Sequence, residues 1–151
     1  MSSAIYEEKQ TMYLRVPIVA LVVAVTLFGA WQTRDVPLAT AIMLLASLAF
    51  AAALWGLTQL KVIVTPTEIR FGFPFFRKRF PLAKIRVGDV TKIAFLAGLG
   101  IHFWGGRWVF NARFGRGVLI TSGRFEYLIG SDHPERLQAA LMQVVPRAVG
   151  K

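Results

Sequence analysis

From Val16 to Leu57 the chain carries only two charged residues, Arg34 and Asp35, side by side in the middle. On either side lie apolar runs, Val16–Trp31 and Val36–Leu57. The second run has 22 residues, enough to cross a hydrocarbon core about 30 Å thick as a helix rising about 1.5 Å per residue. The first reaches a similar span when Leu14 and Gln32 are counted and Arg15 extends its charge to the headgroups. So few residues separate the runs that they predict two antiparallel membrane helices joined by a tight turn. Such a hairpin leaves a 151-residue chain room for one small further domain.

Charge is divided unevenly around that hairpin. Residues 1–60 are neutral, with Lys9, Arg15 and Arg34 against Glu7, Glu8 and Asp35. Residues 61–151 hold 15 basic and 5 acidic side chains and therefore the whole net charge of +10. The turn offers one cation, Arg34, whereas the opposite side offers Lys9, Arg15, Lys61, Arg70 and the Arg77-Lys78-Arg79 run. Positive residues favour the cytoplasmic side, so both termini are expected there. A cleaved leader is not expected, because residues 1–15 contain two glutamates and no small-residue cleavage site ends the first run. The absence of cysteine fits a reducing compartment.

The division expected is a polar N-terminal segment over residues 1–13, the hairpin over 14–58, and a domain over 59–151. The first segment lacks periodicity and reads as a frayed start or a short interfacial piece. Tyr13, Trp31 and Trp55 stand at the ends of the apolar runs, where amphipathic rings favour the interface. In the second run Ser47 and Ala51, Ala49 and Ala53, and Ala52 and Gly56 are each four apart. That spacing suits packing on the first helix or a docking face for another membrane protein.

From Leu60 onward the pattern changes to short alternations. Strands are predicted at Leu60–Thr65, Ile69–Phe73, Arg77–Leu82 and Val87–Leu96, followed by a glycine-rich loop through Gly98–Arg107. Further strands are predicted at Trp108–Ala112, Gly117–Thr121 and Arg124–Ile129, the last two forming a hairpin through Ser122-Gly123. Then the period becomes helical. Ser131 or Asp132 suits an N-cap, Pro134 a first turn, and Glu135 a capping box, with Leu137, Ala140, Leu141, Val144 and Val145 on one face. About seven antiparallel strands and one covering helix make an α+β domain.

The segments VTPTEIRFGF, RKRFPLAKI, GLGIHFWGGRWVFNARFGRGVLI and YLIGSDHPERLQAAL span roughly residues 62–141. In them the chain resembles small bacterial membrane proteins in which a helix hairpin precedes a bacterial pleckstrin-homology-like domain. The most specific part is Gly117–Leu119 followed by Leu128-Ile129-Gly130 and the Pro-Glu-Arg-Leu helix start. The resemblance implies a strongly bent seven-stranded sheet closed by the C-terminal helix, in the bacterial cytoplasmic (inner) membrane. It implies little about activity. The phosphoinositide site of the eukaryotic relatives does not carry over, because the corresponding stretch IRFGFPFFRKRF is crowded with phenylalanine.

No motif supports catalysis, a metal or a cofactor, and none is expected. His102 and His133 are far apart in sequence, and Gly98-x-Gly100 has Phe103 where a dinucleotide fingerprint needs glycine. The informative patch is Phe71–Arg86. Arg77, Lys78, Arg79, Lys84 and Arg86 are candidates for lipid headgroups or a partner, and Phe73, Phe75 and Phe76 are candidates for the interface. Each such cation near anionic lipid is attracted by about 1 kcal/mol. Equally, the phenylalanines can be core beneath a solvated basic face. A second candidate surface is the loop bearing Trp104, Arg107 and Trp108. Nucleic acid is not expected, because the positive-inside bias already accounts for the charge. The sequence therefore predicts a non-catalytic accessory subunit or interaction module. It would hold a basic domain at the membrane for a membrane-protein partner or a second copy, with anionic lipid assisting or as the sole ligand.

Overall fold

The computed structural model describes residues 4–145. In order these are β1 (Tyr6–Thr11), α1 (Arg15–Gln32), α2 (Pro37–Leu57), β2 (Gln59–Val64), β3 (Glu68–Phe73) and β4 (Phe76–Pro81). There follow β5 (Ile85–Lys92), β6 (Gly100–Trp104), β7 (Arg107–Asn111), β8 (Arg116–Ser122), β9 (Phe125–Ser131) and α3 (Pro134–Val144).

The predicted hairpin is present. Both helices are long and apolar enough to cross a membrane, and neither is buried by the rest of the chain. From their lengths they measure roughly 27 and 32 Å at about 1.5 Å per residue, close to the thickness of a hydrocarbon core. Val22 and Thr26 of α1 face Ser47 and Ala51 of α2 across a shallow groove. A Cβ on Gly29 would come within 2.6 Å of Met43 Sδ. Ser47 and Ala51 thus belong to the seam within the hairpin, whereas Ala49, Ala52 and Ala53 are exposed. Two threonine hydroxyls of the hairpin are satisfied by nearby backbone carbonyls. Thr26 Oγ1 donates to the Val22 carbonyl at 2.8 Å, and Thr40 Oγ1 donates to the Thr33 carbonyl at 2.7 Å across the turn.

The domain differs from the predicted single curled sheet. It has two sheets, ordered β1-β2-β3-β4 and β5-β8-β9-β7-β6, and they do not close into a barrel. Among the described residues nine strands replace the expected seven, and β7 pairs with β9 in parallel. One extra strand is β1, where a frayed or interfacial segment was expected. It pairs antiparallel with β2 from Tyr6↔Val64 to Thr11↔Gln59. The first sheet therefore takes a strand from each side of the hairpin, and the two helix bases are clamped together. The other extra strand is β6, which lies in the expected glycine-rich loop. Gly105 and Gly106, at φ of 60° and 83°, are the two-residue turn of a β6–β7 hairpin, a left-handed conformation that favours glycine.

The main core lies between the sheets. It is built from Leu60, Val62 and Val64 of β2, Ile69, Phe71 and Phe73 of β3, and Phe110, Val118, Ile120 and Ile129 of the second sheet. Leu137 and Leu141 of α3 complete it. Gln138 Nε2 donates to the Gly88 carbonyl at 2.9 Å, within the irregular stretch of β5 between Val87 and Val90. The expected caps of α3 differ. His133 takes the N-cap position without a side-chain bond, Ser131 Oγ accepts from its amide at 3.0 Å, and Glu135 pairs with Arg116 at 2.5 Å.

Candidate functional site

The clamp at the helix bases orients everything else. Thr11↔Gln59 is the last β1–β2 pair, and the Met12 amide donates to the Thr58 carbonyl at 2.9 Å. Arg15 then starts α1, and its guanidinium lies over the Trp55 ring of α2, 3.7 Å from the centroid. Tyr13, Trp55 and, at the far turn, Trp31 are all exposed. On the other flank of the domain, a compact polar clasp fixes β1 to the corner between β9 and α3. The Glu8 carboxylate accepts from Ser131 Oγ and the Asp132 amide, both at 2.6 Å, from Gln10 Nε2 at 2.9 Å, and from the Tyr6 hydroxyl. Burial, reinforced by the hydrogen bond to Glu8, pushes the Tyr6 phenol up to about 12.

The β3–β4 turn returns the chain to this base. Phe75, at its tip, packs beside Gly56 of α2, where a Cβ would lie 2.8 Å from the ring. Phe75 and Phe76 are 67% and 61% exposed, but Phe73 is 1% exposed. Phe73 is thus a core residue, not an interface aromatic, because its inward register on β3 places it among the buried side chains.

The basic run is divided by the two-residue period of β4. Lys78 pairs across with Phe71, and Phe80 with Ile69, so Phe76, Lys78 and Phe80 share the inward side. Arg77 and Arg79 lie on the outer side, where Arg79 reaches Glu68 at 3.7 Å and Arg70 also pairs with Glu68. Lys84 and Arg86 follow the far end of β4. The five steps from Phe76 to Pro81 cover about 16 Å, twice the Debye length of about 8 Å at physiological salt. The five cations are therefore not one patch. Arg77 and Lys78 are near the helix bases, whereas Lys84 and Arg86 are not.

Because β4 and β6 are free sheet edges, the inward side of β4 opens on a cleft. Its walls are Phe76 and Lys78 on one side and Ile101, Trp108, Phe110, Phe125 and Tyr127 on the other, around about 540 Å³. Behind two of its lining residues lies an aromatic cluster, with Phe71 edge-on to Phe110 at 5.1 Å and Phe80 against Tyr127 at 5.0 Å. A second cavity of about 300 Å³ shares Phe76 and Ile101 with it and continues to Arg15, Ile18, Val19 and Leu54 at the helix bases. The expected Trp104–Trp108 surface is also split. Trp108 faces the cleft and packs on Phe103 at 5.5 Å. Trp104 and Arg107 line the opposite face of that sheet, where Arg107 is 3.7 Å from Glu126.

One feature escaped the sequence reading. The expected fourth strand ends at Lys92, and Phe95–Ala97 form a single 3-10 turn. Phe95 and Leu96, 73% and 81% exposed, stand at the helix-base end of the domain. Phe95 stacks on Phe114 at 4.6 Å, and Phe114 meets Tyr13 at 6.4 Å. The only sequence signal was Gly98, which ends the apolar run, and Gly98 adopts φ 79°.

Among the described residues no group of three or more His, Cys, Asp or Glu side chains is placed to hold a metal ion. His102 sits on β6 with its Nε2 buried and unpartnered, and burial holds its pKa below the usual value. Comparison with family models, curated proteins and solved structures gives no match to this chain.

Proposed function

We propose that the chain is a non-catalytic membrane-held interaction module. Its two-sheet domain is an elaborated pleckstrin-homology-like fold lying on the cytoplasmic surface of a bacterial inner membrane, with both termini on that side. The observation that carries this reading is the gathering of Phe75, Phe76, Phe95 and Leu96, all more than 60% exposed, at the end of the domain from which both helices leave. Exposed apolar side chains grouped beside a membrane anchor gain by entering the headgroup and acyl boundary. Arg77 and Lys92, which form no ion pair among the described residues, flank them and suit anionic lipid. The far end of the domain remains free for a membrane-protein partner or a second copy, and Phe103 and Phe125 are exposed there.

The test uses the full chain, because a fragment beginning at residue 59 lacks β1. Reconstituted in nanodiscs of neutral or anionic lipid, the protein should show slower amide exchange over residues 73–77 and 94–98 in the anionic discs. Equal exchange in both lipids, at the rate seen in detergent, contradicts the reading. Partner binding is tested by gentle-detergent purification of the wild type and of Phe103→Ala and Phe125→Ala variants. A partner that docks at the far end is lost from the variants.

A further inference from the structure

We infer that the cleft between β4 and the β6–β7–β9 wall holds one acyl chain of an anionic phospholipid drawn from the adjoining bilayer leaflet. The inference rests on the membrane-surface reading above and gives it a ligand. Three observations converge on it. The cleft is a built space of about 540 Å³, within the range of about 300–1,000 Å³ typical of small-ligand sites. It is walled by Phe76, Ile101, Trp108 and Tyr127, with Lys78 as its one charged lining residue. It also has a direct route to the bilayer. Phe76 and Ile101 line both it and the cavity at the helix bases, whose other walls include Ile18 and Val19 of α1 and Leu54 of α2.

A chain entering by that route exchanges one apolar surrounding for another and leaves its headgroup at the mouth. Arg15 lines that mouth, and its Nε is buried without a hydrogen-bond partner. Lys78, exposed and without an ion pair among the described residues, is the cation on the cleft side of β4, whereas Arg77 faces outward. A headgroup at that mouth would meet Arg15, with Lys78 further along the wall, and these cations favour a lipid of net negative charge over a zwitterionic one. The occupant is thus a bilayer lipid. A water-soluble apolar ligand would have no use for the passage between the helix bases, and an apolar peptide would not need cations at the mouth.

The test places the full chain in nanodiscs of phosphatidylglycerol carrying a photoreactive diazirine at the end of one acyl chain, and maps the adducts by mass spectrometry. Adducts at Trp108 or Tyr127, as well as along α1 and α2, are expected. Ile101→Arg, which blocks the junction of the two cavities, should abolish the cleft adducts and keep those on the helices. The helix adducts report that the variant is still inserted. Lys78→Glu, at an exposed position that folding tolerates, should lower the cleft yield from phosphatidylglycerol while that from phosphatidylcholine stays level. Adducts on the helices and at Leu96 but not in the cleft overturn the inference and leave the membrane-surface reading standing. Adducts on the helices alone defeat both. Cleft adducts that persist in Ile101→Arg overturn the proposed passage.

Discussion

Replacing Glu8 by alanine tests whether β1 is fastened to the corner between β9 and α3. The carboxylate accepts four hydrogen bonds, and they differ in what they lose. The Asp132 amide is exposed, so water replaces its partner. Gln10, 2% exposed, keeps its bond to the Gly130 carbonyl at 2.8 Å. Ser131, 9% exposed, and the half-buried Tyr6 hydroxyl lose a charged acceptor in poorly hydrated surroundings. Hydrogen bonds to charged groups contribute about 1.5–3 kcal/mol each. After partial replacement by water the loss should be about 2–4 kcal/mol. Most of it falls on the docking of β1, so the β1 amides should open at least about 30-fold more often. Hydrogen exchange on the full chain in nanodiscs reads this directly over residues 6–11. Glu8→Gln, which keeps one acceptor oxygen, should fall between. Unchanged exchange in Glu8→Ala would refute the claim that the clasp holds β1 in place.

Three further outcomes follow from the same packing. Gly117 and Gly130 are cross-strand partners, and a Cβ on Gly117 would lie 2.4 Å from the Ile129 carbonyl oxygen. Gly117→Ala should cost about 1–3 kcal/mol or more in a denaturation midpoint, while Gly123→Ala, with open space around it but φ 59°, should cost less. Leu137→Ala removes a fully buried side chain between α3 and the sheets, and about 2–5 kcal/mol of stability should go with it, read by thermal melting. The Tyr6 phenol is raised from 10 unfolded to about 12 folded. Its neutral form therefore stabilises the fold fully below pH 10, and this contribution is lost as pH rises from 10 to 12. Melting temperatures over that window should fall more steeply for the wild type than for Tyr6→Phe.

The hairpin was legible in the sequence because apolarity over 42 residues is a matter of composition and needs no tertiary context. Strand β1 was not. Its side toward the domain carries Tyr6, Glu8 and Gln10, so no apolar alternation marks it, and beyond its ladder to β2 these side chains find polar partners more than 100 residues away. Strand β6 was hidden by glycines that read as loop but serve as a hairpin turn and its approach. The division of Arg77-Lys78-Arg79 into two faces follows from the strand period. Which face turns inward depends on the pairing of Lys78 with Phe71, which only the register supplies. Phe95 and Leu96 were read as the end of a strand because an apolar run gives no sign of where hydrogen bonding stops. The cleft had no sequence signature, since it exists only where two sheet edges fail to meet.

The central claim is that the helix-base end of the domain lies in the bilayer surface and its opposite end in water. The chain has no cysteine, so single nitroxide labels can be placed by Phe75→Cys, Leu96→Cys and Lys84→Cys in the full chain in nanodiscs. Power-saturation electron paramagnetic resonance then compares oxygen with a water-soluble paramagnetic complex at each site. Labels at 75 and 96 should be relaxed more by oxygen, and the label at 84 more by the aqueous complex. Water-like behaviour at all three positions would contradict the account.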